Sequence, residues 1–326
     1  MKTRFPNRRV AMAALALAFC GTTTLAQNAP WPTKPLRLVV GFPAGSSPDL
    51  TARTLSEPLA QALGQPVVVD NKPGAGGNIG ADLVAKATDG HTFGLMINGN
   101  MTIAKLLNPA TPYDPIKDLA PISLVATAPL VLAASHQMPA GAAAVLAAAR
   151  QGGDKLNYGT PGNGTVAHLG MELLKAKAGL SPVHVPYPGN PQVITALIAG
   201  DLQLALLPPG LAMPQVRAGK LQVVGVTSAG RSSLVPDVPS LTDAGVQGFQ
   251  LEIWNAVAGP ASTPKPVVDK LSSLLAEIVR RPDVREKLFN QGWQVAGTSA
   301  EGLAKRIQRD TAEMGEVIRR NNIRPQ

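Results

Sequence analysis

Residues 36–49 of the chain read Leu36-Arg37-Leu38-Val39-Val40-Gly41-Phe42-Pro43-Ala44-Gly45-Ser46-Ser47-Pro48-Asp49. The first five residues form a short, mostly aliphatic run, which predicts a β-strand. Ser47, Pro48 and Asp49 are typical of a helix start, because they offer a capping hydroxyl, a proline in the first turn and an acid near the positive end of the helix dipole. The glycine-rich residues between strand and helix predict a βα turn.

The same alternation of strand and helix continues along the chain. Further apolar runs predict strands, and amphipathic stretches of about 10–15 residues predict the helices between them. This order indicates βαβ units with mainly parallel sheets, so the predicted fold class is α/β. A length of 326 residues is sufficient for two domains. The further strands are predicted at 67–69, 93–97, 122–125, 130–134, 183–187, 202–207 and 221–227.

The charge and the cysteine count exclude several classes of protein. The net charge is +9, but four basic residues and no acid lie in the first 26 residues, so the rest of the chain has only a small surplus. That surplus contains no block of Lys and Arg, and only 4% of the residues are aromatic, which argues against a nucleic-acid partner. The single cysteine, Cys20, excludes a disulfide scaffold, and the four histidines lack the spacing of metal ligands.

The first 26 residues are predicted to be a cleaved export signal. Basic residues precede an apolar run from Val10 to Cys20, and the small residues that end at Ala26 resemble an A-x-A cleavage site. The apolar run is shorter than the roughly 20 residues that span a bilayer. A lipoprotein signal at Cys20 and a twin-arginine signal at Arg8-Arg9 are alternatives. The predicted location is the periplasm.

Two loops are predicted to bind an anion. Open α/β sheets bind their ligands beyond the carboxyl ends of the strands. Residues 41–47 and residues 159–165 are rich in Gly, Ser and Thr, and each stretch leads into a predicted helix. Backbone N–H groups at helix N-termini, together with hydroxyl groups, favour an anion at such places. Ordinary βα turns have the same composition, but two such loops in one exported chain favour binding.

The chain resembles the receptors of tripartite tricarboxylate transporters, also called Bug receptors, from about residue 31 to its C-terminus. The motifs occur in the order that the family shows, which makes the resemblance specific. They are LRLVV at 36–40, PAG at 43–45, NKPGAGGNIG at 71–80, DGHT at 89–92, YDP at 113–115, GNGT at 162–165, HVPY at 184–187, VTS at 226–228 and PDVP at 236–239.

The resemblance implies a fold of the type II-like periplasmic-binding-protein kind, with two α/β domains joined by two crossings. It assigns residues 27–124 and 227–326 to one domain and residues 125–226 to the other. It further implies a receptor that captures a small carboxylate, namely a dicarboxylate, a hydroxy acid or an aromatic acid. The receptor would deliver this ligand to the membrane subunits of the transporter. We expect a monomer that needs no cofactor, holds no metal and binds no nucleic acid.

The resemblance also implies ligand-binding residues at both loops and at neighbouring strand ends. Carried over by position, they are Phe42, Ala44, Gly45, Ser46, Ser47 and Asp49 at the first loop, Thr160, Gly162, Asn163, Gly164, Thr165 and His168 at the second, and Asn98 and Tyr187 at other strand ends.

Two departures from the family bear on the ligand. The family usually has Lys where Pro188 stands here, which removes a polar group near the cleft. The family usually has an Asp-Asn pair where Leu207 and Pro208 stand here, so Leu207 is predicted to face the cleft without offering a charge. A ligand ammonium would then lack a partner, which favours a carboxylate without an amine. The alternatives are that Leu207 is a core residue and that another acid, such as Glu252, serves instead.

The motifs argue against catalysis. The chain has no His-Glu-x-x-His sequence and no G-x-S-x-G elbow, and residues 74–80 only approach G-x-G-x-x-G. We expect Asp49 to order its own loop rather than to act as a base. The alternatives to a transport receptor are a periplasmic hydrolase or isomerase of small organic acids and a ligand sensor for a signalling system.

Overall fold

The computed structural model of the protein describes residues 31–323. From Lys34 onward, the described residues form one compact unit. The predicted export signal over residues 1–26, with Cys20, lies outside the described residues. The fold described below is that of the compact unit.

The first lobe is built on a six-stranded sheet. Its strands are β1 (Leu36–Val40), β2 (Val67–Asn71), β3 (Thr92–Ile97), β4 (Leu119–Pro129), β10 (Glu252–Pro260) and β11 (Gln294–Val295). The strand order is β11-β4-β10-β3-β1-β2. Strands β1, β2 and β3 run parallel, whereas β10 runs antiparallel to both of its neighbours.

The second lobe is built on a five-stranded sheet. Its strands are β5 (Val131–Ser135), β6 (Asn157–Thr160), β7 (Val183–Pro186), β8 (Leu204–Leu207) and β9 (Leu221–Val226). The strand order is β7-β6-β8-β5-β9. Strand β6 pairs in parallel with β7 and β8, while β5 pairs antiparallel with β8 and β9.

Both sheets are mixed, which corrects the prediction of mainly parallel sheets. Strand β4 leads into β5 of the other sheet through Leu130 alone, and β10 enters the first sheet from the other lobe between β3 and β4. The strands next to these two crossings, β4, β5, β9 and β10, run antiparallel to the strands they pair with. The α/β class and the two-lobe architecture are confirmed.

Helices cover both sheets. They are α1 (Ser47–Leu63), α2 (Asn78–Ala85), α3 (Ala104–Leu107), α4 (Ala142–Gly152), α5 (Val166–Ala178), α6 (Asn190–Ala199), α7 (Pro209–Arg217), α8 (Lys265–Ile278), α9 (Pro282–Asn290) and α10 (Ala300–Arg320). A π-helical turn (Gly99–Ile103) precedes α3.

Helix α1 begins one residue earlier than the sequence predicts, because its N-cap is Ser46 and not Ser47, and no side chain caps its first turn. Pro48 lies in its first turn, and Gly64 ends the helix with a φ of 68°, a left-handed conformation that glycine adopts without steric cost. Leu55, Leu59 and Leu63 form its buried face. The helix therefore holds the loop at residues 41–46 against the first sheet.

The two crossings between the lobes are tied together by Thr227. Its hydroxyl accepts a hydrogen bond from the Leu130 N–H at 2.8 Å and donates one to the Leu251 carbonyl at 2.8 Å. Strand β4 continues past residue 125 to Pro129 within the first sheet. The domain boundaries at 124/125 and 226/227 stay a prediction.

Two further observations concern residues 31–323. None of their helices is both long enough and apolar enough to cross a membrane. None of their His, Asp and Glu side chains form a group of three or more that could hold a metal ion.

Candidate functional site

A cavity lies between the lobes, where the carboxyl ends of β1, β3, β6 and β8 face one another. A volume of about 50 Å³ is open there to water-sized molecules, which is room for a few waters or a small ligand. Four helix N-termini reach the cavity, through Ser47 of α1, Thr165 next to α5, Asn190 of α6 and Pro208 next to α7. Among the described residues that line it there is no charged side chain.

The remaining wall is largely apolar. Strand β10, which the sequence did not predict, supplies Ile253 and Trp254, and the turn after α9 supplies Trp293. Both indoles are at most 2% exposed. Other apolar side chains of the wall are Phe42, Ile97, Leu130, Val166 and Leu206.

The first loop is ordered by Asp49, whose side chain is 1% exposed. Its carboxylate accepts hydrogen bonds from the Gly45 N–H (2.9 Å), Arg53 Nε (3.0 Å) and Asn71 Nδ2 (2.9 Å). Burial alone would raise the pKa of Asp49, but these hydrogen bonds outweigh it and hold the pKa below its usual value. The carboxylate shapes the loop and does not line the cavity.

The second loop is ordered by Thr165, which caps α5. The Thr165 hydroxyl accepts a hydrogen bond from the His168 N–H at 3.3 Å and donates one to the Gly162 carbonyl at 2.8 Å. Thr165 is 2% exposed. If its hydroxyl were removed, neither the His168 N–H nor the Gly162 carbonyl could form a replacement hydrogen bond with bulk water.

We expect Thr165→Val to lower the free energy of unfolding by about 1–2 kcal/mol. The His168 N–H and the Gly162 carbonyl would both lose their hydrogen-bond partner. Urea unfolding measures the change. Thr165→Ser keeps the hydroxyl and is the matched control, so it should retain most of the stability. Equal midpoints for the valine variant and the wild type would contradict the assigned cap.

His168 lies behind the second loop. Its ring is 1% exposed and stacks on the His184 ring with 4.4 Å between centroids, and its Nδ1 accepts a hydrogen bond from the Gly164 N–H at 3.4 Å. Burial is the main cause that lowers the pKa of His168 to about 4; the charges of His184 and Lys175 act in the same direction, and that of Glu172 opposes them. His168 is therefore neutral at pH 7.

This pKa predicts a loss of stability in mild acid. The unfolded chain binds a proton at His168 near pH 6.5, whereas the folded protein does so only near pH 4. As the pH falls below 6.5, the free energy of unfolding therefore falls, by about 2 kcal/mol at about pH 5. Urea unfolding at several pH values measures the slope. His168→Gln should flatten it, and His136→Gln, at an exposed histidine, should not. An unchanged slope in His168→Gln would refute the assignment.

The structure brings only part of the predicted site residues to the cavity. Phe42, Ser47, Asn98 and Thr165 line it. Asn163, Gly164 and His168 line a separate cavity of about 180 Å³ on the other side of the second loop.

The other predicted residues support the loops or lie apart from the cavity lining. Ser46 is fully buried at the N-cap position of α1, and Ala44 and Gly45 are exposed. The Thr160 hydroxyl hydrogen-bonds His184 Nε2 at 2.6 Å. Tyr187, through its backbone N–H, donates to the Thr160 carbonyl at 2.9 Å.

Leu207 is a core residue in the structure. Neighbouring residues of β8 point to opposite faces of the sheet. Leu206 lines the cavity, whereas Leu207 is fully buried in an apolar cluster with Val131 and Val193. The structure thus shows Leu207 as a core strand residue, which the sequence had left open.

Backbone contacts join the two lobes at the edges of the cavity. A Cβ atom at Gly76, in the first lobe, would lie 2.3 Å from the Asn163 carbonyl oxygen of the second lobe. A Cβ atom at Gly210, in the second lobe, would lie 2.0 Å from the Gln291 carbonyl oxygen of the first. Since neither position has room for a side chain, glycine is what allows the lobes to meet. The glycine-rich stretch at 74–80 thus serves contact between the lobes.

The cavity residues that the sequence did not single out came from distant parts of the chain. Trp254 lies in an unpredicted strand whose run, Glu252 to Pro260, mixes polar and apolar residues without a clear period. Asn190 is the first residue of α6, after the N-cap Gly189, and no local pattern marks it as a cavity residue. Trp293 follows Gly292 after a helix, and no local pattern marks it.

A family model, curated relatives and solved structures all match this chain over most of its length. The family model described as "Tripartite tricarboxylate transporter family receptor" matches residues 51–323. A protein from the tcbD–tcbE intergenic region of a Pseudomonas species is 36% identical over 320 residues, which cover 96% of this chain and 94% of that protein.

Two solved structures are similar over the same range. The periplasmic binding protein BugD is 31% identical with a TM-score of 0.86, and an R. palustris protein with adipate is 30% identical with a TM-score of 0.87. Each comparison covers 91% of this chain and 100% of the other. The resemblance seen in the sequence is thereby confirmed.

Proposed function

Since the chain belongs to the receptor family of tripartite tricarboxylate transporters, we propose that it captures a small carboxylate between its lobes and delivers it to the membrane subunits of such a transporter. One observation carries this proposal: four helix N-termini converge on a cavity that has no charged side chain in its described lining. Backbone N–H groups and hydroxyls at helix N-termini favour an anion without the help of Lys or Arg. The adipate-bound R. palustris relative supports a carboxylate ligand.

Four of the predicted residues are the proposed direct contacts. Phe42 would pack on the body of the ligand, Ser47 and Thr165 would mark the N–H groups that bind a carboxylate, and Asn98 would meet a second polar group. The other predicted residues would act by shaping the two loops. Asp49 is the best-supported example, because its carboxylate is held by Gly45, Arg53 and Asn71.

We further propose that the receptor works by closing its lobes. Strands β1 to β4 and strands β10 and β11 share one sheet, which supports the assignment of both ends of the chain to one domain. Two crossings, tied at Thr227, form a hinge between the domains. A ligand that contacts both lobes shifts such an equilibrium towards the closed form.

The periplasm is the proposed location, and the first 26 residues are the proposed export signal. The family supports this location.

Binding without catalysis is also part of the proposal. The buried Asp49 carboxylate, which is the acid nearest to the first loop, has its hydrogen-bonding capacity occupied by three donors and is not placed to act as a base.

Calorimetric titration with small carboxylates tests the proposal, with the uncharged amide of each acid as the matched control. We expect at least one acid to bind and its amide not to bind. At a hundredfold excess over Kd the bound acid should stabilise the protein by about 2.7 kcal/mol. Failure of every acid to bind would refute a carboxylate receptor, and steady turnover of a bound acid would refute binding without catalysis.

A further inference from the structure

Two residues that line the cavity each have a buried polar atom without a hydrogen-bond partner. These atoms are Oδ1 of Asn98 and Nε1 of Trp293. Asn98 is 5% exposed and Trp293 is 2% exposed, and both residues line the cavity. A buried polar atom without a partner carries a free-energy cost, so native proteins rarely keep one unless something else is bound there.

The two atoms have opposite hydrogen-bonding roles. Asn98 Nδ2 donates to the Glu252 carbonyl at 3.0 Å, which orients the amide and leaves Oδ1 as a free acceptor. The indole Nε1 of Trp293 can only donate. The other indole of the wall is different, because Trp254 Nε1 already donates to Asp310 Oδ2 at 2.7 Å.

The group that fits both atoms must be able to donate and to accept. A hydroxyl does both. A second carboxylate could accept from Trp293 but would face the Asn98 oxygen with another acceptor. An ammonium could donate to Asn98, but it would leave the Trp293 N–H without an acceptor and would find no acidic side chain among the described residues that line the cavity.

We propose that the ligand is a small carboxylate with an apolar body and a hydroxyl group remote from the carboxylate. This inference rests on the proposed function, since the carboxylate is assigned to the helix N-termini at Ser47 and Thr165. The apolar body lies along the wall formed by Phe42, Leu206 and Trp254. The hydroxyl hydrogen-bonds Asn98 Oδ1, Trp293 Nε1 or both.

Two matched series of probes test the inference by calorimetry. One is hexanoate, 6-hydroxyhexanoate and adipate, and the other is benzoate, 4-hydroxybenzoate and terephthalate. In the series that fits the cavity, we expect the hydroxy acid to bind about tenfold or more tightly than the unsubstituted acid and than the diacid. An equally tight or tighter diacid or unsubstituted acid would overturn the inference while leaving the carboxylate receptor intact. Binding by no acid would overturn the proposed function itself.

Variants assign the effect to the two atoms. Trp293→Phe and Asn98→Leu should each reduce the preference for the hydroxy acid over the unsubstituted acid to about threefold or less. Trp254→Phe is the matched control, because its N–H is already bonded to Asp310, so it should alter both affinities alike and leave their ratio unchanged. If both Trp293→Phe and Asn98→Leu keep the wild-type ratio of the two affinities, the assignment of the hydroxyl to these two atoms is overturned. The ratio is an internal measure, so a general loss of stability does not obscure the result.

Discussion

Replacing Gly210 with alanine should weaken ligand binding by roughly a hundredfold. In the structure, a Cβ atom at this position would lie 2.0 Å from the oxygen and 2.3 Å from the carbon of the Gln291 carbonyl across the cavity edge. Both are backbone atoms and cannot swing aside, so the arrangement of the two lobes in this structure must shift. Overpacking of this kind costs about 3 kcal/mol, and that cost falls on closure and therefore on affinity.

The second lobe itself should tolerate this change. Gly210 lies in the first turn of α7, and alanine is favoured over glycine within helices. Gly302, in the first turn of α10, is the matched control, because a Cβ there would meet only side-chain atoms at 3.1 Å or more. Gly302→Ala should leave Kd unchanged.

Calorimetry with the tightest carboxylate measures Kd, and small-angle scattering measures closure. Gly210→Ala should keep a larger radius of gyration at a ligand concentration that compacts the wild type. Wild-type affinity in Gly210→Ala would show that the contact between Gly210 and Gln291 is not part of the ligand-bound state.

Replacing Asp310 with alanine should lower the free energy of unfolding by about 3–4 kcal/mol. Asp310 is 7% exposed and accepts hydrogen bonds from Trp254 Nε1 and from Arg306 Nε, both at 2.7 Å. Its loss leaves a buried indole N–H without an acceptor and removes one carboxylate from a guanidinium that is 18% exposed. Breaking a buried pair by removing one partner is costly for this reason.

Asp269→Ala is the matched control for this prediction. The pair of Lys265 and Asp269 has the same four-residue spacing on a helix as Arg306 and Asp310, but its side chains are 83% and 55% exposed. Exposed pairs of this kind contribute about 0.5 kcal/mol or less. Urea unfolding of both variants measures the difference, and equal losses would refute the role assigned to Asp310.

Several features of the site could be predicted from local sequence. The end of α1 before Gly64 and the start of α5 after Thr165 both follow from capping residues at fixed offsets. The ordering role of Asp49 was also expected, since an acid in the first turn of a helix is near the N–H groups of the preceding loop. These features depend on contacts between residues close together in the chain.

Other features could not be predicted from any local pattern. Strand β10 pairs with β3 and β4, so its position depends on strands more than 120 residues away in the chain. The sequence predicted that Leu207 faces the cleft. Which face of the second sheet each residue of β8 points to depends on the helices that pack on that sheet, and local sequence does not indicate this. Trp293 reaches the cavity only because the turn after α9 meets α7 of the other lobe.

What the sequence by itself determined is the alternation of strands and helices, the two glycine- and hydroxyl-rich loops at helix starts, and membership of the receptor family. Capping, turns and periodicity act over a few residues, so they can be read from the chain directly. Only the tertiary structure decided that the sheets are mixed, that Asn98 and Trp293 leave an acceptor and a donor free in one cavity, and that Gly210 meets Gln291. Those arrangements arise from the packing of two lobes against each other. Local sequence patterns do not indicate which residues become neighbours in that way.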